Sequence, residues 1–316
     1  MKAEVPEVND DLKCIVYIFC QSEGGLSKLR FDIVTHVNYA FAIPTRDGHV
    51  LPLENPELAR AVIAKAHASG AKVCVSLGGW SYEDIPLEAA FREGTDTPEK
   101  ISTLAEEITA MAIEFGFDGV DVDWEYPRTN DGSKEQYEAL LRLLHEKLKP
   151  RGMLLTAAVL GGVDAAGEPI RSAAEAQDRP SFDQLDWLNI MAYDCDGPEH
   201  SSCAFAENCV RYWVETRGFD PAKLNLGLPF YGRPFPGDYR DLLAADSGAL
   251  EKDMVVIGGR EVRYNGRDTL ERKVAMAKRY GLGGVMVWEI SADCEDREKS
   301  LLTVLGRACG GAEATV

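Results

Sequence analysis

"FDGVDVDWEYP", residues 117–127, decides how the rest of the chain is read. Asp121, Asp123 and Glu125 alternate with Val120, Val122 and Trp124. Successive side chains of a strand point to opposite faces, so in a strand these acids form one row. Other short apolar, β-branched runs resemble this one in length and character. They are CIVYIFC (14–20), THVNYAFA (35–42), KVCVSLGG (72–79), GVDVDWE (119–125) itself, LLTAAVL (154–160), WLNIMAYD (187–194), LNLGLPFYG (224–232) and GGVMVWEI (283–290). Near-continuous apolar character is what strands buried on both faces require.

Helical patterns separate most of these runs. Thr97 can cap and Pro98 suits a first helical position; Ile101, Leu104, Ala105, Ile108, Met111, Ala112 and Phe115 follow at helical spacing before Gly116. Asn55–Pro56 opens a second helix that Gly70 closes, and Asp268 with Glu271 opens a last one running to Gly281. Ser133 with Gln136 reads as a capping box for the stripe Tyr137, Leu140, Leu141, Leu144 and Leu148, which Pro150 and Gly152 end. The patterns after the first and fifth runs are poorly defined. Alternating strands and helices imply parallel pairing through right-handed crossovers, and eight such units match an α/β fold of the (β/α)8 TIM-barrel type. A doubly wound dinucleotide fold is disfavoured because no GxGxxG follows the first strand.

Bulk properties narrow the function. The net charge of −18 and the lack of any basic run argue against nucleic acid as a partner. No apolar run approaches the roughly 20 residues of a membrane helix, so no membrane partner is expected. The polar start MKAEVPEVNDD carries no apolar signal region. Location stays open: secreted or periplasmic if a signal has been removed, cytoplasmic otherwise. Of the eight cysteines, Cys14, Cys20 and Cys74 read as buried thiols. Cys195, Cys203 and Cys209 crowd one segment without CxxC spacing, so no metal and no cofactor are expected. A monomer is expected.

In a barrel the row of acids climbs the interior, with Glu125 at the carboxyl end where active sites of this fold lie. Solvated acids on a surface strand are the plainer explanation, but three like charges inside a barrel repel, so at least one must hold or share a proton. Such groups cluster at functional sites. A magnesium-type cluster would need ligands from several strands, yet the other strand ends offer mostly aromatics and amides. Glycoside hydrolysis needs a carboxylic acid with a raised pKa, which Glu125 can supply. Asp123 is too near in sequence to flank a sugar from the other side. That suits a mechanism in which the substrate's 2-acetamido oxygen is the nucleophile. Ser76, Gly78, Gly79 and Trp80, then Met191, Tyr193 and Asp194, then Trp288 stand at other strand ends, with Tyr17, Tyr39 and Phe41 near the first two. Any one of these aromatics alone reads as core; their convergence reads as a sugar platform.

These residues also carry a family resemblance. DGVDVDWE (118–125) resembles the DGxDxDxE signature of glycoside hydrolase family 18, the chitinase family. SLGG (76–79) is similar to its SxGG motif, MAYD (191–194) to its MxYD motif, and GVMVWEISAD (284–293) to its eighth strand with a floor tryptophan. The resemblance runs from about residue 13 to about residue 306. It implies substrate-assisted, retaining hydrolysis of β-1,4-linked N-acetylglucosamine polymers or oligomers through an oxazolinium ion. Glu125 would be acid and then base. Asp123 would turn toward it and orient the acetamido nitrogen, while Asp121 would share a proton with Asp123, supported by Ser76 and Tyr17. Tyr193 would bond the acetamido carbonyl and Asp194 would hold the distorted sugar. Trp288 would floor the reacting subsite and Trp80 would stack on the leaving-group side, with Phe41, Gly79 and Met191 also lining the sugar. Asp118, of opposite parity, is left unassigned. Repulsion from the acids below would raise the pKa of Glu125.

Many family members carry an α+β module between strands seven and eight. Here that interval is short, so residues 1–316 are expected to form a single catalytic barrel domain with a hairpin-like insertion around 233–267, built on MVVIGGREVRYNG (254–266). An open cleft, endo action and a chitooligosaccharide or other GlcNAc-containing glycan as partner follow. Two alternatives stand beside this: an endo-β-N-acetylglucosaminidase acting on N-glycans, and a non-catalytic chitinase-like lectin. Lectins of that type usually lack the acid at the Glu125 position, and the tryptophan of DWE resembles the chitinase branch.

Overall fold

The computed structural model describes residues 12–310 except Glu23, Pro198 and Pro236, so the stretch MKAEVPEVNDD lies outside the described residues. The apolar runs form eight strands: β1 (Lys13–Phe19), β2 (His36–Ala42), β3 (Lys72–Gly78), β4 (Gly119–Asp123), β5 (Leu154–Leu160), β6 (Trp187–Met191), β7 (Leu224–Pro229) and β8 (Gly284–Trp288). They close into one barrel in chain order, with β1 paired to β8 through Lys13 and Gly284. Every neighbouring pair is parallel. The register sets Asp121 of β4 beside Ser76 of β3 and Thr156 of β5.

Main helices are α1 (Pro56–His67), α2 (Pro98–Phe115), α3 (Ser133–Leu148), α4 (Cys203–Arg211), α5 (Arg267–Arg279) and α6 (Leu301–Ala308). Asn55 caps α1 through Leu58 N at 3.2 Å and Thr97 caps α2 through Lys100 N at 3.3 Å, as the sequence pattern requires. Gly116 ends α2 at φ 83, the left-handed conformation glycine adopts without strain. The capping box on α3 does not form. Asp131 sits close by and takes both the Ser133 backbone N–H and its hydroxyl, while Gln136 Oε1 accepts from Thr95 at 3.1 Å. Nor does Asp268 cap α5; Asp253 does that work, accepting from Gly266 N at 2.8 Å and Thr269 Oγ1 at 2.7 Å. The ill-defined patterns correspond to short pieces, Gly25–Lys28 after β1, and Arg171–Ala176 with Arg179–Gln184 after β5.

Between β7 and β8 the chain forms a helix at Tyr239–Ala245, absent from the sequence reading, and a hairpin pairing Met254–Ile257 with Arg260–Arg263. One large apolar shell lies between strands and helices, with Val120, Val122 and Trp124 packed into it. The interior of the barrel is different: Asn38, Ser76, Asp121, Thr156, Asn189 and Asn225 are fully buried there beside Ile15, Tyr17 and Met286.

Two strands stop earlier than their apolar runs. β4 ends at Asp123, and Trp124, on the same outward face as Val120 and Val122, stacks on Phe91 at 4.8 Å and 8°. β6 ends at Met191, where Ala192 N turns back to bond Ile190 O at 2.9 Å, and Asp194 beyond it has φ 60, which no strand tolerates. Glu125 and Asp194 therefore sit on loops held by rigid strand ends.

Candidate active site

The carboxylate of Asp121 is completely buried at the bottom of the row. Tyr17 Oη and Ser76 Oγ donate to its Oδ2 at 2.7 and 2.8 Å, and Thr156 Oγ1 donates to its Oδ1 at 2.6 Å. Asn189 Nδ2 stands 3.5 Å from the same Oδ1. Burial pushes its pKa up, and those donors pull it back, since each favours the charged form.

Asp123 is buried and its Oδ1 has no hydrogen-bond partner among the described residues. Burial, then the charges of Glu125 and Asp121, hold its carboxyl well above the usual range. The sequence expectation is one proton shared between Asp121 and Asp123. No hydrogen bond joins the two among the described residues. Asp121 has three hydroxyl donors that favour its charged form, whereas Asp123 Oδ1 has no partner among the described residues and its carboxyl is raised by burial and by the neighbouring charges.

The pKa of Glu125 is raised to about 7, first by burial, with the Tyr126 hydroxyl opposing and the charge of Asp194 adding to it. Loss of water is the larger cause, and charge repulsion, from Asp194, is the lesser one.

Asp194 is held by Arg233 and His200. Arg233 pairs with it in two places, Nη2 to Oδ2 at 2.8 Å and Nε to Oδ1 at 2.9 Å, and His200 Nδ1 lies 3.2 Å from Oδ1. Burial alone would raise its pKa, but His200 and Arg233 override burial and bring it to about 2.

Above these groups opens a cleft of about 710 Å³. Tyr17, Phe41, Trp80, Asp123, Glu125, Met191, Tyr193, Asp194 and Trp288 all line it. Trp288 forms its apolar base, stacked on Phe41 at 5.6 Å and set edge-on to Tyr17 at 5.5 Å. Among the described residues the one hydrogen-bond partner of the Tyr193 hydroxyl is the Met286 sulfur, at 3.9 Å. Trp80 stands at the rim, 63% exposed, just before a small hairpin of Ser81–Tyr82 and Ile85–Pro86.

Ser76, Gly79 and Asp121, expected in the site, lie behind it and do not line the cleft. Ser76 is fully buried against Asp121. Gly79 N donates to the Asp123 carbonyl at 2.8 Å, and with φ +94 a Cβ there would come within 2.7 Å of the Phe41 ring. Gly78 likewise leaves no room, a Cβ falling 2.3 Å from the Asp123 carbonyl. The two glycines let β3 press against the end of β4 and fix Asp123. Asp118 stands at the opposite end of β4, accepting from Val73 N at 2.8 Å and meeting His67 at 2.8 Å.

The sequence reading missed Phe19, Tyr126, Tyr231, Arg233 and Phe235, which also line the cleft. Three of them belong to FYGRPF (230–235), directly after β7. Aromatics and a cation at a strand end were the available signal. Among the described residues no group of three His, Cys, Asp or Glu is arranged to hold a metal, and all eight cysteines are free.

The family model for glycosyl hydrolases family 18 matches residues 13–293. Over 98% of its length the chain is 26% identical to "Probable chitinase 10" of Drosophila melanogaster, covering 16% of that protein. It is 31% identical to a "chitinase-like effector" of Moniliophthora roreri across 66% of this chain and 55% of that one. Thus the chain spans about a sixth of the first relative and about half of the second. Among solved structures, the GH18 chitinase from the chitin utilization locus of Flavobacterium johnsoniae superposes with a TM-score of 0.80 at 26% identity, over 97% of this chain and 100% of that one.

Proposed function

Because the chain belongs to glycosyl hydrolases family 18, we propose that it hydrolyses β-1,4-linked N-acetylglucosamine oligomers, with retention and with the substrate's own acetamido group as nucleophile. The observation that carries the reading is Glu125, facing the cleft with its proton held until about pH 7. An acid of that strength is protonated at mildly acidic pH, yet readily gives the proton to a leaving oxygen.

The steps follow from the positions of the groups. Glu125 protonates the glycosidic oxygen while the acetamido oxygen attacks C1 and the C1–O bond breaks, leaving an oxazolinium ion. Asp123 Oδ1, free of any partner, accepts the acetamido N–H and keeps the group turned beneath C1. Tyr193 donates to the acetamido carbonyl, having only a weak sulfur contact to give up. Trp288 floors the sugar, and Asp194, fixed by Arg233, holds its distorted ring. The ionised Glu125 then takes a proton from water, which adds to C1 on the face the leaving group vacated as the C1–O bond to the acetamido oxygen breaks and the acetamido group is restored.

The intact acid, both aspartates and Tyr193 favour hydrolysis over a purely binding role. The test is cleavage of chitotetraose by the wild type and by Glu125→Gln, with a high-mannose glycoprotein as second substrate. The reading requires wild-type cleavage of the oligomer and a loss of at least roughly 100-fold in the variant. Sugar binding without cleavage of either substrate would make the protein a lectin. Cleavage of the glycoprotein alone would make it an endo-β-N-acetylglucosaminidase.

A further inference from the structure

Lys273, on α5, is fully buried and takes no part in the chemistry above. Its ammonium donates all three of its hydrogen bonds to uncharged acceptors: Ser201 O at 2.7 Å, Ser201 Oγ at 2.7 Å and Asn265 Oδ1 at 2.6 Å. Asn265 Nδ2 closes the ring by donating to Ser201 O at 2.9 Å. No carboxylate pairs with Lys273 among the described residues. A buried cation without a counter-ion is expensive to keep, so what it holds matters.

What it holds is the loop that follows β6. Ser201 Oγ in turn donates a hydrogen bond to Ala192 O at 2.7 Å, two residues before Asp194. His200, adjacent to Ser201, accepts Cys195 N on its carbonyl at 3.2 Å and presents Nδ1 3.2 Å from the Asp194 carboxylate. Asp194 itself has φ 60, a conformation that persists in a non-glycine residue only where the surroundings impose it. The loop's two ends are therefore drawn together at one serine, and that serine is gripped by Lys273.

We propose that Lys273 is a positioning residue for the reaction: by clamping Ser201 it holds Tyr193 and Asp194 in the geometry the sugar meets. This rests on the hydrolase reading for the roles of those two residues. The clamp depends on charge. The groups facing Lys273 are the Cys195 thiol on the loop, the Cys203 and Cys209 thiols on α4 and the Asp253 carboxylate ahead of the hairpin. Burial keeps the Cys195 and Cys209 thiols protonated, so they offer no anion, and it lowers Lys273 to about 8. Above that pH the neutral amine has one donor fewer for the same acceptors, and the loop loosens.

The variants are Lys273→Met, which removes the charge, and Ser201→Ala, which removes only the hydroxyl link and leaves Lys273 its other two acceptors. Thermal unfolding checks that each is folded. With chitotetraose, both variants are expected to lose roughly 10- to 100-fold in kcat/KM, in lower kcat and in a KM raised at least about threefold. A second readout removes the titration of Glu125: chitotetraose affinity measured from pH 6 to 10 in Glu125→Gln, with and without Lys273→Met. Affinity is expected to fall above about pH 8 in the single variant and to lose that step in the double variant. Folded Ser201→Ala with wild-type kcat, or the same pH dependence in single and double variants, overturns the positioning role. Failure of the wild type to cleave any GlcNAc oligomer overturns the hydrolase reading instead, and the affinity measurement still decides whether Lys273 shapes the site.

Discussion

Arg233 meets Asp194 through two parallel contacts, at 2.8 and 2.9 Å, across 39 residues of sequence. The pair joins the loop after β6 to the loop after β7, so two walls of the cleft are tied by one fork-shaped cation. Lysine cannot reproduce two contacts with one nitrogen. Arg233→Lys is expected to lower kcat roughly 10-fold and Arg233→Ala roughly 100-fold, measured as steady-state hydrolysis of chitotetraose. The carboxyl of Asp194 is depressed to about 2, so the pair forms above the ordinary carboxylate range and is lost only as pH falls through about 2. It should contribute nothing to the pH profile between 4 and 9.

Glu125 sets the alkaline side of that profile. It acts as an acid only while protonated, so kcat/KM should fall as pH rises through about 7, with a slope of one proton. An activity that stays level to pH 9 would exclude Glu125 as the proton donor.

The same raised pKa has a cost in stability. A carboxyl whose folded pKa lies above its unfolded value favours the folded state most below the unfolded pKa, and that advantage is lost as pH rises through the folded value. Glu125→Gln should therefore unfold at a higher temperature than the wild type at pH 8 and at about the same temperature at pH 4. At pH 8 the difference corresponds to roughly 1–3 kcal/mol. Calorimetry at both pH values checks it, and a variant destabilised at pH 8 would contradict the burial argument.

Asp121 is the keystone of a buried polar ring. Asp121→Ala leaves the Tyr17, Ser76 and Thr156 hydroxyls without their acceptor and should destabilise by about 3–5 kcal/mol in denaturant unfolding. Tyr17→Phe removes one donor and should lose only about 1–2 kcal/mol.

Trp80 and Phe235 are exposed aromatics on the cleft, at 63% and 52%. Stacking on a sugar face is their available role, since neither is needed for the core. Each alanine variant should raise KM for long oligomers by roughly 3- to 10-fold with unfolding temperature unchanged. An unchanged KM in both would remove the rim from the binding surface.

The barrel was legible because strands buried on two faces are apolar throughout and cannot be mistaken for solvated segments. The ends of those strands were not. GVDVDWE reads as one strand to Glu125, but the ladder ends at Asp123, and the unbroken alternation through Trp124 and Glu125 hides that end. The acids were legible from their alternation, while the hydrogen bonds that set Asp121 apart from Asp123 were not. They depend in part on Thr156 and Asn189, which stand on other strands and look like ordinary core-strand residues in sequence. Arg233 and Lys273 were overlooked for a related reason. A lone cation in a loop or on a helix reads as solvated until its distant partner, Asp194 or Ser201, is placed beside it.

The central claim is that Glu125 works with the substrate's own acetamido group. Proton NMR of chitotetraose during the first minutes of cleavage tests it most directly, read against the partly deacetylated tetramer lacking the acetamido group at the reacting sugar. The account predicts β-anomeric product from chitotetraose and no cleavage at the deacetylated sugar. Initial α-anomer, or equal cleavage of both substrates, would contradict it.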